Sequence, residues 1–376
     1  MRINIVAITY RDAYFFQKYG PAVRDLQILL TLSGLDNITI TMLDRPVSVY
    51  ERALGKIFRP SMFSEYGIEV YDTTSFDLLG PLRRRLWWSK SIPFFLDGLL
   101  PKLKDDDAIN IFLDFMPIGI PSAKSLEGWF YWYDFIDNFT KHNRFSEIER
   151  RFVEDKYQFV KDHAQLLTFV SGECLANVCL SDTVFSERRV LTNKLFMDQV
   201  VAKQCPSVGG HCEPKFDFGF IGFVTDKIDI EFIASLSKSY SVAIYGDFYD
   251  RKVKAKLAGL SNVFLLGGFR YQNLPKICRS FKVGLLPYRE DRSHDGSPLK
   301  LYEYLRYLRP VISSIDYEIT DDTYIKNYQL NELTDKDFNK LLDLSGSEEI
   351  GLLLKEDDFL ITPLSQIVED VRGGKV

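Results

Sequence analysis

Short runs of β-branched and other apolar residues recur through the first half of the chain, at Ile3 to Ile8, Ile38 to Leu43, Ile68 to Tyr71, Ile109 to Leu113, Trp129 to Tyr133 and Leu166 to Val170. Between them, near residues 21 to 33, 91 to 103 and 144 to 162, apolar positions repeat with helical spacing. A run that is apolar at successive positions is covered on both faces, so this alternation predicts a parallel sheet flanked by helices. After residue 214 the pattern resumes. Phe216 to Ile221, Val242 to Tyr245, Val263 to Leu266, Val283 to Leu286 and Pro310 to Ser313 read as strands, with helices near 228 to 238, 250 to 258, 271 to 279 and 298 to 308. Residues 202 to 214, with Pro206, Gly209, Gly210 and Pro214, form the densest turn-forming stretch and interrupt the periodicity, which marks a linker. The expected organisation is one α/β domain over residues 1–205, a second over 206–355, and a terminal segment over 356–376. That segment has helical spacing through Phe359, Leu360, Leu364, Ile367, Val368 and Val371, and can pack back on the first domain.

Length and composition agree with two cores: 376 residues, 46% apolar and 26% charged, describe a globular chain and exclude a disordered one. The net charge of −5 argues against a nucleic-acid partner, whose affinity draws on a basic surplus. No run reaches the ~18 to 20 apolar residues of a membrane helix. The opening residues read as a strand and not as a signal peptide, so a cytoplasmic protein is expected. Five cysteines, Cys174, Cys179, Cys205, Cys212 and Cys278, make no C-x-x-C pair, which fits a reduced compartment without structural zinc. Asp105-Asp106-Asp107 precedes a strand beside Lys102 and Lys104 and reads as a solvated loop, so no metal site is expected.

Open parallel sheets bind ligands beyond their strand C-terminal ends, and two such sheets joined by one linker can bring two rows of ends together across a cleft. The most specific signal for such a site is Asp295-Gly296-Ser297-Pro298-Leu299-Lys300-Leu301-Tyr302-Glu303, followed by Arg309-Pro310-Val311. Gly296 and Ser297 offer a turn and a cap, and Pro298 suits the first helical position, so the helix start presents N–H groups to an anion. Lys300 stands where its ammonium can meet phosphate oxygens, and Glu303 one turn on can accept two hydrogen bonds from a ribose diol. The plainer reading is a capped surface helix whose Lys and Glu form an exposed pair worth about 0.2 to 0.5 kcal/mol.

The wider series favours the first reading. Phe218-Gly219-Phe220-Ile221-Gly222, Ile244-Tyr245-Gly246-Asp247, Gly267-Gly268-Phe269-Arg270-Tyr271 and Gly284-Leu285-Leu286-Pro287-Tyr288 lead into the Pro298 to Leu305 run. Over residues 216 to 315 this resembles the GT-B nucleotide-sugar glycosyltransferases, in particular bacterial enzymes that build exopolysaccharide, teichuronic-acid or O-antigen chains. In the first domain the resemblance touches Gly20-Pro21, Trp129 to Asp137, Phe169-Val170-Ser171 and Val190 to Asn193. It implies a GT-B-like α/β fold of two Rossmann-like parallel-sheet domains facing each other across a cleft. It also implies donor contacts from Gly222, Tyr245, Gly267, Phe269, Arg270, Arg289, Asp295, Ser297, Leu299, Lys300 and Glu303, with Glu303 on the ribose and Lys300 on the diphosphate. The donor is then a nucleotide sugar of UDP or GDP type, UDP favoured, with no cofactor. The acceptor is a glycan, free or carried on a lipid.

The family's retaining branch carries Glu, seven residues, Glu, where this chain has Asp295 and Glu303, and an Arg and Lys pair where this chain offers only Lys227. That departure favours inversion, which needs one general base; Asp12, Asp134 and Asp137, placed at strand ends, are the candidates. His142 and His163 are weaker ones. A second feature is Arg83-Arg84-Arg85-Leu86-Trp87-Trp88-Ser89-Lys90, a basic and aromatic stretch suited to an anionic membrane, which would place the protein on the inner face of the plasma membrane. Aromatics beside arginines also pack cores while the arginines snorkel. Two other functions share this architecture: a nucleotide-sugar 2-epimerase, for which the scattered His142, His163, His211 and His294 give no clustered site, and a catalytically silent nucleotide or glycan binder.

Overall fold

The computed structural model describes residues 1–55, 61–76, 78–142, 144–178, 187–197, 214–289, 298–317 and 319–376. Most of the expected linker (residues 202–213), with Asp295, Gly296 and Ser297, lies outside the described residues. The described chain forms two compact units, one of residues 1–197 with Leu360–Val376, the other of residues 214–359.

In the first unit β1 (Ile3–Ile8), β2 (Ile38–Leu43), β4 (Ile68–Tyr71), β6 (Ile109–Asp114), β7 (Phe130–Phe135), β8 (Leu166–Phe169) and β9 (Glu187–Val190) form one sheet in the order β4-β2-β1-β6-β7-β8-β9. Every pairing is parallel. All six residues of β1 are buried, as a central strand covered on both faces requires. Two short strands, β3 (Val47–Ser48) and β5 (Thr74–Ser75), pair separately. The helices are α1 (Ala13–Tyr19), α2 (Arg24–Leu32), α3 (Val49–Ala53), α4 (Ser61–Ser64), α5 (Gly80–Arg83), α6 (Trp88–Leu103), α7 (Glu147–His163) and α8 (Gly172–Val178). A capping box of Ser146 and Glu149 starts α7, and Val153, Tyr157 and Val160 turn its apolar stripe inward.

In the second unit β10 (Phe216–Ile221), β11 (Val242–Tyr245), β12 (Val263–Gly267), β13 (Phe281–Leu286), β14 (Val311–Ser313) and β15 (Ile325–Asn327) run in the order β12-β11-β10-β13-β14-β15, again all parallel. Numbered from β10, that is the doubly wound order 3-2-1-4-5-6 of dinucleotide-binding sheets, with its switch point between β10 and β13. Its helices are α9 (Ile230–Leu236), α10 (Arg251–Ala258), α11 (Leu274–Cys278), α12 (Leu299–Arg306) and α13 (Asp335–Leu344). The last helix, α14 (Ile361–Arg372), belongs to the first unit, where it packs on α2 and where Arg372 donates to the carbonyl of Asp36 (2.6 Å).

Two expected boundaries move. Strand β7 continues to Phe135, so Asp134 sits inside the sheet opposite Thr168 and not in the loop beyond it. Helix α12 begins at Leu299 with Pro298 as its N-cap, and Pro298 makes no capping hydrogen bond through its side chain.

Candidate functional site

Ligands of a doubly wound sheet sit where two neighbouring strands send their chains to opposite sides. At that point of the second unit, beyond β10 and β13, the chain places Gly222, Tyr288, Lys300 and, further along α12, Glu303. Tyr304 anchors the helix there: its hydroxyl accepts from the Ile221 amide (3.0 Å) and donates to the Leu285 carbonyl (3.2 Å), joining α12 to both strands. Gly284 makes room for that ring, since a Cβ on it would stand 2.4 Å from Tyr304.

Lys300 Nζ donates to the Tyr288 hydroxyl at 2.6 Å and lies 5.4 and 5.3 Å from the ring centres of Phe220 and Tyr288. This apolar surround lowers its pKa to about 8. Gly222 has φ +118°, and a Cβ there would meet Lys300 Cε at 2.3 Å, so the glycine is needed by the lysine that fills the space above it. The next turn is equally closed to side chains: a Cβ on Gly246 would lie 1.8 Å from the Gly222 carbonyl oxygen.

Glu303 is 2% exposed. Tyr271 donates its hydroxyl to Oε1, while Oε2, also buried, has no hydrogen-bond partner among the described residues. Burial raises the carboxyl pKa above its ordinary value, against the pull of Arg306 and the Tyr271 hydrogen bond. A buried acceptor left open is costly in a folded protein, so this oxygen calls for a donor such as a water or a ligand hydroxyl.

The remaining expected residues fall in two groups. Leu299 opens α12, and Gly267 (φ +78°) accepts at its carbonyl from the Gly246 amide (2.7 Å), next to Phe269 and exposed Arg270. Tyr245 accepts at its carbonyl from the Gly222 amide (2.8 Å), but its hydroxyl is shared with Ser280 (2.8 Å), so its side chain serves the fold. Arg289 is exposed and its amide donates to the Lys227 carbonyl (2.7 Å). Asp295 and Ser297 lie outside the described residues. Tyr271 and Tyr288 were not singled out as site residues by the sequence, although each stands directly beyond a strand and loop that the pattern located.

In the first unit the three candidate bases have different surroundings. Asp134 is buried and takes a two-pronged ion pair from Arg24 (2.9 and 2.7 Å) and a hydrogen bond from Thr168 (2.5 Å). That corrects its expected role: its lone pairs are spent as a counter-ion. Asp12 caps α1 through the Phe15 amide (2.8 Å) and pairs with Arg45 (2.5 Å) in a buried setting, so it too is engaged at both oxygens. Asp44, which the sequence did not mark, also caps that helix, at the Ala13 amide, and burial together with the Asp12 charge pushes its pKa up to about 7. Asp137 alone of the three is half-exposed; one oxygen accepts from the Asn138 amide (3.0 Å).

The expected membrane anchors are corrected as well. Trp87 and Trp88 are each 7% exposed and belong to the core, with Tyr10 edge-on to Trp88 at 6.2 Å. Arg85 lies over Phe145 and pairs with Glu149 (3.8 Å). Tryptophans held this way have no face left for lipid. Arg83 is half-buried and Lys90 exposed; the Arg84 side chain lies outside the described residues. Among the described residues no helix is long and apolar enough to cross a membrane.

No family model matches the sequence, and neither does any curated protein. The fold has clear counterparts among solved structures. HepE of Anabaena, solved with UDP-glucose, aligns with a TM-score of 0.61 at 11% identity over 98% of this chain and 99% of its own. The chain has the GT-B fold. Other GT-B structures similar to it are the sucrose-phosphate synthase of Thermosynechococcus elongatus (TM-score 0.61, 12% identity, 99% and 100% covered) and AviGT4, a glycosyltransferase of avilamycin A biosynthesis (0.59, 13%, 99% and 97%).

Proposed function

We propose that this GT-B chain is a glycosyltransferase that takes a sugar from a UDP-linked donor and passes it to a glycan hydroxyl, free or lipid-linked, in cell-surface polysaccharide synthesis. The observation that supports the reading is Glu303: a buried carboxylate one turn along α12 from Lys300, with one oxygen held by Tyr271 and the other without a hydrogen-bond partner among the described residues. A ribose diol supplies O–H donors, and the lone pairs of the remaining carboxylate oxygen can accept them. Lys300, partly desolvated beside Gly222, is a cation placed for the diphosphate, and the amides at the start of α12 add partial positive charge. Uridine is favoured because HepE, of the same fold over nearly the whole chain, was solved with UDP-glucose.

In the reaction proposed, the acceptor oxygen bonds to the anomeric carbon as the bond to the diphosphate oxygen breaks, and UDP leaves with the electron pair. Lys300 stabilises the charge that develops on the leaving diphosphate. Half-exposed Asp137 is the base we propose for the acceptor proton, which gives inversion. The proposal needs neither metal nor cofactor. Its test is a set of nucleoside diphosphates in a thermal-shift assay, followed by turnover of the corresponding sugar nucleotide by wild type and Asp137→Asn. UDP should stabilise the protein, and the variant should bind UDP normally while losing turnover. No stabilisation by UDP or GDP refutes the donor reading; full turnover by Asp137→Asn refutes the base.

A further inference from the structure

Charge is distributed unevenly along the second unit. Residues 251 to 282 carry eight Lys and Arg and no Asp or Glu, whereas residues 319 to 358 carry eleven Asp and Glu against four Lys. Both stretches are described throughout and both belong to that unit. The first holds α10 and β12, the edge strand at one end of the sheet; the second holds β15, the edge strand at the other end, and α13. One sheet therefore has a basic flank and an acidic flank.

These charges have no use within the unit. Arg251, Lys252, Lys254 and Lys256 are exposed on α10, and Glu332, Asp343 and Glu348 are exposed in the acidic stretch; among the described residues none of the seven forms an ion pair. Several also oppose their own helices. Arg251 and Lys252 open α10, whose first turn beyond the Asp250 cap has no acid, although a helix N-terminus favours negative charge. Asp343 stands in the last turn of α13, which has no base, although a helix C-terminus favours positive charge. Charges placed against local preference without a local gain point to a use elsewhere.

Apolar side chains accompany both flanks. Val263 and Leu265 of β12 pack toward the core that α10 shares, but Phe264 and Leu266, on the other side of the strand, are exposed, as are Leu330 and Leu352 in the acidic stretch. Cations beside an open edge strand can serve simply to guard it against pairing. That reading accounts for the basic flank alone and leaves the acidic one, with its own exposed leucines, unexplained. Opposite charge joined to exposed apolar side chains on each side is the complementarity of two surfaces that meet.

We propose that the basic flank of one copy of this chain, formed by α10 and β12, docks head to tail on the acidic flank of a second copy. The inference goes beyond the donor reading and does not depend on it. Because the two flanks are different surfaces, one contact leaves a basic flank open on one copy and an acidic flank open on the other, so association runs on past two copies or closes a ring.

The test is the mass of the full chain in solution by light scattering. At about 0.05 M salt and roughly 100 μM protein, wild type should exceed the 43.5 kDa of one chain, and about 0.5 M salt should return it to one chain as the Debye length shrinks. Arg251→Gln with Lys252→Gln and Lys256→Gln removes the basic flank; Glu332→Gln with Asp343→Asn and Glu348→Gln removes the acidic one. Each triple variant should weaken self-association by about tenfold or more. Mixed in equal amounts, the two should form a complex of two chains and stop there, since each retains one working flank; that complex also reports that both are folded. A wild type with the mass of one chain at low salt overturns the proposal, as does association that survives either triple variant. So does failure of the two variants to combine when each melts like wild type. A one-chain wild type that binds heparin in a salt-dependent way gives the basic flank to a polyanion and overturns the proposal too.

Discussion

Replacing Glu303 by Gln separates two effects that an ordinary binding-site mutation confounds. The carboxylate is 2% exposed, its Oε2 has no hydrogen-bond partner among the described residues, and burial raises its pKa. A folded-state pKa above the unfolded value means that the group's contribution to stability is fully present below about pH 4.5 and is lost as pH rises through the folded pKa. Gln is neutral throughout, so the variant should match wild type near pH 4 and equal or exceed it at pH 7.5, with a melting temperature unchanged or raised by up to roughly 3 °C. UDP binding should move the other way. Charge-assisted hydrogen bonds are worth about 1.5 to 3 kcal/mol, so loss of the carboxylate should weaken UDP about 10- to 150-fold. Calorimetric titration with UDP and melting curves at both pH values read the two effects. Unchanged UDP affinity, or a variant less stable than wild type by more than ~2 kcal/mol at pH 7.5, would refute the reasoning, because the carboxylate would then be a structural acceptor.

The pKa of Lys300, lowered to about 8, predicts that UDP affinity is level from pH 6 to 7.5 and declines above pH 8 as the ammonium loses its proton; Lys300→Met should bind weakly at every pH and abolish the decline. Gly222→Ala should drive its Cβ against Lys300 Cε, now 2.3 Å from that position, so donor affinity should fall while a melt shows a folded protein. Asp134→Asn should act on the fold: breaking a buried ion pair costs about 3 to 5 kcal/mol, a drop in melting temperature of roughly 6 to 20 °C. A variant that melts like wild type but has lost turnover would return Asp134 to the list of bases.

The central strands were legible because a strand covered on both faces must be apolar at successive positions; Ile3–Ile8, Ile38–Leu43, Phe216–Ile221 and Val242–Tyr245 lie where the pattern put them. Strand β9 (Glu187–Val190), whose sequence is charged, and β15 (Ile325–Asn327), only half-buried, are edge strands without that signature. In the second unit the helix expected near Pro298 was legible from that proline, and it runs from Leu299 to Arg306 with Lys300 and Glu303 on it. What one-dimensional spacing cannot carry is the partner of a charge. Arg24 meets Asp134 from 110 residues away, and Arg45 meets Asp12 from 33. Each pairing turned a candidate base into a fixed counter-ion. The same holds for Trp88, whose neighbour Tyr10 lies far along the chain, so that a stretch that reads as an interface belt is core.

The return of α14 to the first unit also sets an order of events during synthesis. Every residue of α2 is buried, and α14 contributes Leu364, Ile367, Val368 and Val371 to the burial beside it, fastened by Arg189 to Asp370 at 2.8 Å. At about 5 to 20 residues per second, the ribosome needs roughly 9 to 35 s to pass from residue 197 to residue 372. Through that interval the first unit carries an uncovered apolar helix face while the whole second unit is being made. The second unit, whose described residues all precede Leu360, can close before the first is complete, so the part of the chain translated earlier is the part that finishes folding later.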